Sequence, residues 1–102
     1  MKKILATAAL GSLSVAALGA EVRIKDYRFV PEKLVVKVGT TVKWTNDERR
    51  ASHSIWFKEE GLPESERMMP GESYERRFDR TGTYRYTCGP HPEMNGVVEV
   101  VP

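Results

Sequence analysis

The sequence predicts an all-β domain, an antiparallel β-sandwich of seven to eight short strands. Three observations predict it. Apolar and polar residues alternate with a period of two through most of the chain after residue 20. No stretch keeps a helical period, and Gly, Pro, Asn or Asp interrupts the alternating runs at regular spacing.

Val22 and Ile24 alternate with Arg23 and Lys25, and the phase then shifts to Tyr27 and Phe29, which predicts a bulge near Asp26 before Pro31 ends the strand. Leu34, Val36 and Val38 form the next alternating run, Gly39-Thr40 reads as a turn, and Val42 and Trp44 face inward on the returning strand. Residues 45–53 are a polar loop leading to His53, followed by a short apolar piece, Ile55-Trp56-Phe57. Residues 58–72, rich in Glu, Gly, Pro and Ser, read as a long surface loop. In the strand predicted over 73–78, alternation puts Arg76 on the face of Tyr74 and Phe78, a position compatible with snorkelling at the sheet rim. Asp79 to Gly82 form a turn, Tyr84, Tyr86 and Cys88 share one face of the next strand, and Val97 to Val101 form the last.

The first twenty residues stand apart from this pattern. Lys2 and Lys3 precede an apolar run from Ile4 to Leu18, and small residues follow at Gly19 and Ala20, as in a secretory signal peptide. The run is shorter than the ~20 apolar residues that span a bilayer. The reading is a leader over 1–20 cleaved after Ala20, with Ala17 as the alternative site, and one domain over 21–102 in the periplasm with no membrane attachment after cleavage. Without Lys2 and Lys3 the chain carries fourteen Lys and Arg against fourteen Asp and Glu, a balance that argues against nucleic acid as a partner. Cys88 is the only cysteine, so an exported chain has no internal disulfide to form and the thiol is free for another use.

That use is indicated by its neighbours. Cys88, His91 and Met94 fall at C-x2-H-x2-M spacing, and the second of the two histidines, His53, lies upstream in the polar loop. One thiolate, two imidazoles and one thioether form the donor set of a blue copper centre, with His2Cys in a trigonal plane and a weak axial Met. Zinc would accept the cysteine and histidines, but a thioether suits it poorly. Catalytic copper centres need further histidines, and neither a Ser/His/Asp group nor paired carboxylates are evident, so the chain is read as no enzyme.

The run Phe29-x-Pro31, Lys37-Val38-Gly39-Thr40-Thr41-Val42-x-Trp44-x-Asn46, His53, and Gly82-Thr83-Tyr84-x-Tyr86-x-Cys88-x-Pro90-His91-Pro92-x-Met94 resembles the cupredoxins, amicyanins in particular and plastocyanins less closely. The resemblance implies a Greek-key sandwich holding one type 1 copper on His53, Cys88, His91 and Met94. It also implies one-electron transfer with a c-type cytochrome, a periplasmic dehydrogenase or an oxidase docking near a solvent-facing His91, and a monomer. Copper delivery is the alternative reading. Amicyanins and their relatives usually carry Asn after the first histidine ligand. Ser54 stands there instead, which predicts weaker bracing between the ligand loops. Glu59, Glu60, Glu64 and Glu66 make an acidic stretch that is either a solvated face or a docking surface, and Met68 or Met69 could join an apolar rim around His91.

Overall fold

The computed structural model describes residues 19–102. Seven strands, β1 (Ala20–Lys25), β2 (Arg28–Val30), β3 (Lys33–Lys37), β4 (Thr40–Asn46), β5 (Ser73–Phe78), β6 (Gly82–Thr87) and β7 (Asn95–Val101), form two sheets, ordered β2-β1-β4-β5 and β3-β7-β6. A 3-10 turn over Lys58–Glu60 is the only helical piece among the described residues. The predicted leader lies outside the described residues, apart from Gly19 and Ala20. Ala20 is already in β1, opposite Val42, so the first strand begins one residue inside the expected boundary.

The two sheets face each other across the core that the alternation marked. Val22 and Ile24 of β1, Val42 and Trp44 of β4, Phe78 of β5, Tyr86 of β6 and Val98 and Val100 of β7 are buried, with Phe29 of β2 and Phe57 of the long connection among them. Trp44 sits at the centre, its ring 5.4 Å from Tyr86 across the sandwich and 5.6 Å from Tyr74 beside it.

Three details differ from the sequence reading. Each sheet contains one parallel pair, β1 with β4 and β3 with β7, so the sandwich is mixed rather than wholly antiparallel. The phase shift near Asp26 is a two-residue reversal, not a bulge. Asp26 and Tyr27 both take positive φ, 54° and 59°, and β2 returns antiparallel along β1 with Lys25 opposite Arg28. Paired positive φ values suit the right-handed twist of a tight hairpin, and they turn Tyr27 out of the core to half exposure. Val38, expected inside, lies past the end of β3 and is exposed.

Arg76 shows what an arginine does on an apolar face. Its guanidinium lies 4.4 Å from the Phe57 ring centre, 4.6 Å from Phe78 and 5.2 Å from Tyr84, and both terminal nitrogens donate to Glu60 at 2.8 Å. The planar cation covers aromatic faces while its edge is satisfied by a bidentate carboxylate. This also occupies one of the acidic residues of the 59–66 stretch. Arg76→Lys keeps the charge but loses the fork and the flat contact. We expect it to cost about 1 kcal/mol, read as a lower urea midpoint that persists at high salt; an unchanged midpoint would show the cage to be energetically idle.

Candidate metal centre

The long connection between β4 and β5 delivers His53. Asn46, fully buried at the end of β4, ties down the start of that connection: its amide donates to the Ala51 carbonyl at 2.9 Å and the Met68 carbonyl at 2.8 Å, and its Oδ1 accepts the Glu48 N–H at 2.9 Å. His53 then pairs through its backbone with Met68 in both directions, at 3.2 and 2.8 Å. Three residues on, Trp56 pairs with Thr87 at 2.9 and 3.0 Å, which lays the segment 53–56 beside the end of β6. The residue after Thr87 is Cys88, so these bridges bring the two distant parts of the sequence together.

Residues 88–94 are the connection of the β6–β7 hairpin, closed at its base by the Thr87–Asn95 pair. Inside it Cys88 N–H donates to the Met94 carbonyl at 3.1 Å, His91 N–H to the Cys88 carbonyl at 3.2 Å, and Met94 N–H to the His91 carbonyl at 2.9 Å. The Thr87 hydroxyl lies 2.9 Å from the Met94 carbonyl and 3.2 Å from that of Pro92. A loop this internally bonded has little freedom, and it buries Met94 while leaving His91 partly open.

His53, Cys88 and His91 bring one donor atom each to within 4.8 Å of one another. Both imidazoles turn Nδ1 toward Cys88 Sγ, each at 3.5 Å. Bonds of about 2.0 Å to nitrogen and about 2.3 Å to sulfur, meeting at roughly 110–120°, require N···S separations of about 3.5–3.7 Å. Both sulfur–nitrogen separations therefore suit donors that share one metal ion. Met94, at the end of the same loop, lies near these three residues.

The supporting contacts were not foreseen. Nε2 of His53 lies 3.0 Å from Glu48 Oε2, the carboxylate that also accepts the Tyr27 N–H at 2.7 Å. A carboxylate on the outer nitrogen selects the tautomer that leaves Nδ1 free to ligate. The Tyr27 ring stands edge-on to both imidazoles, centre to centre 5.3 Å from His53 and 4.7 Å from His91. Ser54, expected to brace weakly, does brace: its N–H donates to Cys88 Sγ at 3.4 Å and its hydroxyl accepts the Gly89 N–H at 2.8 Å. Of the two methionines considered for the rim, Met68 is buried behind His53 and Met69 is exposed.

Burial sets the proton chemistry of His53 and Cys88. It lowers the His53 pKa, with the Glu48 hydrogen bond working the other way, and it raises that of the Cys88 thiol, against which the Ser54 N–H pulls down. The metal-free fold thus favours a neutral imidazole and a protonated thiol. A depressed histidine contributes stability above its unfolded value of about 6.5 that is lost as pH falls; a raised thiol contributes stability below about 8.5 that is lost as pH rises. We expect the metal-free protein to have its highest urea midpoint between those limits, with Cys88→Ala removing the alkaline decline. Cys88→Ala leaving that decline intact would assign it elsewhere.

These donors match a described family. The model for copper-binding proteins of the plastocyanin/azurin family matches residues 16–101. The chain belongs to that family. Within this copper-binding family it is 36% identical over 101 residues to Amicyanin-alpha of Methylorubrum extorquens, covering 94% of this chain and 84% of that one. The crystal structure of amicyanin from Paracoccus versutus superposes with a TM-score of 0.74 at 32% identity, covering 81% of each chain. A Cu-containing nitrite reductase from Thermus scotoductus also superposes, with a TM-score of 0.76 at 27% identity over 83% of this chain, but the match spans only 23% of the reductase. The cupredoxin fold and copper as the cofactor follow from family membership.

Proposed function

We propose that the protein carries single electrons between redox proteins, with one type 1 copper held by His53, Cys88, His91 and Met94. The observation that supports this most strongly is the pair of Nδ1 atoms, each 3.5 Å from the one sulfur, in a pocket where His53 and Cys88 are fully buried. Copper bound there supplies a one-electron couple between Cu(II) and Cu(I). Cys88 donates as thiolate, the two neutral imidazoles suit either oxidation state, and the Met94 thioether favours the reduced one. The bonded hairpin loop and the bridged 53–56 segment hold their donors in place, so little needs to move when the charge changes.

His91 is the ligand with an outlet to solvent and is the electron port in this proposal, flanked by Tyr27 and Pro92. A c-type cytochrome, a dehydrogenase or an oxidase in the periplasm is the class of partner, reached by a monomer exported with residues 1–20 as its leader. Among the described residues no helix is long and apolar enough to cross a membrane. With both histidines of the chain committed to the one centre, none is left for a second, substrate-binding copper. Voltammetry of the copper-loaded protein should give a reversible one-electron wave, and mixing with a reduced c-type cytochrome should bleach its colour. Stoichiometric loss of copper to an apo acceptor, with no reversible wave, would replace this reading by copper delivery. N-terminal sequencing of the exported protein, expected to begin at Glu21, tests the leader.

A further inference from the structure

Glu64 belongs to the acidic stretch between the two halves of the site, and its side chain is only partly exposed. Its Oε2 accepts the hydroxyl proton of Ser54 at 2.6 Å. Ser54 is fully buried, and a hydroxyl has one proton to give. Because that proton goes to Glu64, the lone pairs of the same oxygen are left for the Gly89 N–H, which they accept at 2.8 Å. The carboxylate thus fixes the direction of a hydrogen-bond chain from Gly89 through Ser54 to Glu64, joining the residue after Cys88 to the residue after His53. Gly89 is part of the arrangement: a Cβ there would collide with the Glu64 carboxylate. Arg67 Nε, 3.4 Å from the same oxygen, supplies a counter-charge from the solvent side. The next residues repeat the tie, with the Ile55 N–H donating to Ser65 Oγ at 2.8 Å and the Ser65 N–H to the Ile55 carbonyl at 3.0 Å.

We propose that Glu64 is a positioning residue of the metal centre: through the Ser54 hydroxyl it locks the His53 segment to the Cys88 loop, and its negative charge beside the thiolate lowers the reduction potential. The sign follows from charge alone. A nearby anion stabilises the more positive, oxidised site relative to the reduced one, so removing it raises the potential. The same carboxylate would thereby serve both geometry and potential, and Ser54 needs no longer side chain to bridge the loops. The potential part rests on Cys88 ligating copper; the loop lock does not.

The test compares the wild type with Glu64→Gln and Glu64→Ala. In the metal-free proteins, amide hydrogen exchange at Gly89 reads the lock. Glu64→Ala should accelerate it at least tenfold, whereas the glutamine oxygen can still accept the Ser54 proton and should restore protection to near the wild-type rate. In the copper-loaded proteins both variants should have a higher midpoint potential, so that the ratio of reduced to oxidised protein at a fixed applied potential rises severalfold; a tenfold rise is a shift of ~59 mV for one electron. Wild-type exchange at Gly89 in Glu64→Ala would overturn the lock, and an unchanged potential in both variants would overturn the role of the charge. If the wild type itself bound no copper in a coloured site, the function proposed above would fail while the exchange result would still decide the lock.

Discussion

Cys88→Ser gives a folded protein that no longer turns blue with Cu(II). The sulfur is fully buried, and its contacts are the two Nδ1 atoms at 3.5 Å and the Ser54 N–H at 3.4 Å. A serine oxygen can accept that N–H, so the surrounding fold has no unpaired donor to expel. What it cannot do is bind as an anion near neutral pH, and the intense colour of the centre comes from a thiolate bonded to Cu(II). Two imidazoles and a thioether remain, a set with no anionic donor to offset the charge of the metal. Since loss of a mere supporting contact around a metal costs 10–100-fold in affinity, loss of the thiolate should cost more than ~100-fold. A copper titration followed by visible absorption would show a colourless adduct with a raised dissociation constant. A blue Cys88→Ser protein would remove Cys88 from the ligand set.

Trp44→Ala should cause the largest loss of stability of any single core change. The indole is fully buried, in the strand flanked by β1 and β5, and packs within 6.4 Å, centre to centre, of Phe57, Tyr74, Phe78 and Tyr86. Both sheets and the long connection lean on it, so the site can collapse only partly around an alanine. Such truncations cost about 3–5 kcal/mol, a large share of the 5–15 kcal/mol typical of a whole domain. In a domain of this size each kcal/mol moves the melting temperature by roughly 4–8 °C, so the metal-free variant should melt at least about 12 °C below the wild type. Copper binds the native state, and at a thousandfold excess over its dissociation constant a ligand contributes about 4 kcal/mol. The loaded variant should therefore recover most of the lost stability. Equal melting temperatures for metal-free wild type and variant would mean that the aromatic cluster is not the structural centre of the fold.

The parts of this molecule that obey a period were legible in its sequence. Val22 and Ile24, Val42 and Trp44, and Val98 and Val100 all face the core as alternation requires. Alternation says which face of a strand is buried but not which strand lies alongside, and the parallel pairs went unseen for that reason. The Asp26-Tyr27 reversal gives the same phase shift as a bulge, and a tyrosine at positive φ carries no warning in its identity. Cys88, His91 and Met94 stand out in the sequence because three residues of donor type share a spacing on one short loop. Glu48 and Glu64 have no such mark: in a polar loop a carboxylate that holds a ligand or a hydroxyl looks like one that meets only water. The Ser54 bridge cannot be read from the serine alone, because Glu64 completes it from the other side.

X-ray absorption at the copper edge, recorded on the oxidised and the reduced protein, tests the centre most directly because it reads the donor atoms themselves in both states. One short copper–sulfur bond and two copper–nitrogen bonds are expected in the oxidised form, with nearly the same shell after reduction. A first shell of nitrogen and oxygen alone, or one whose donors are replaced when the electron arrives, would contradict it.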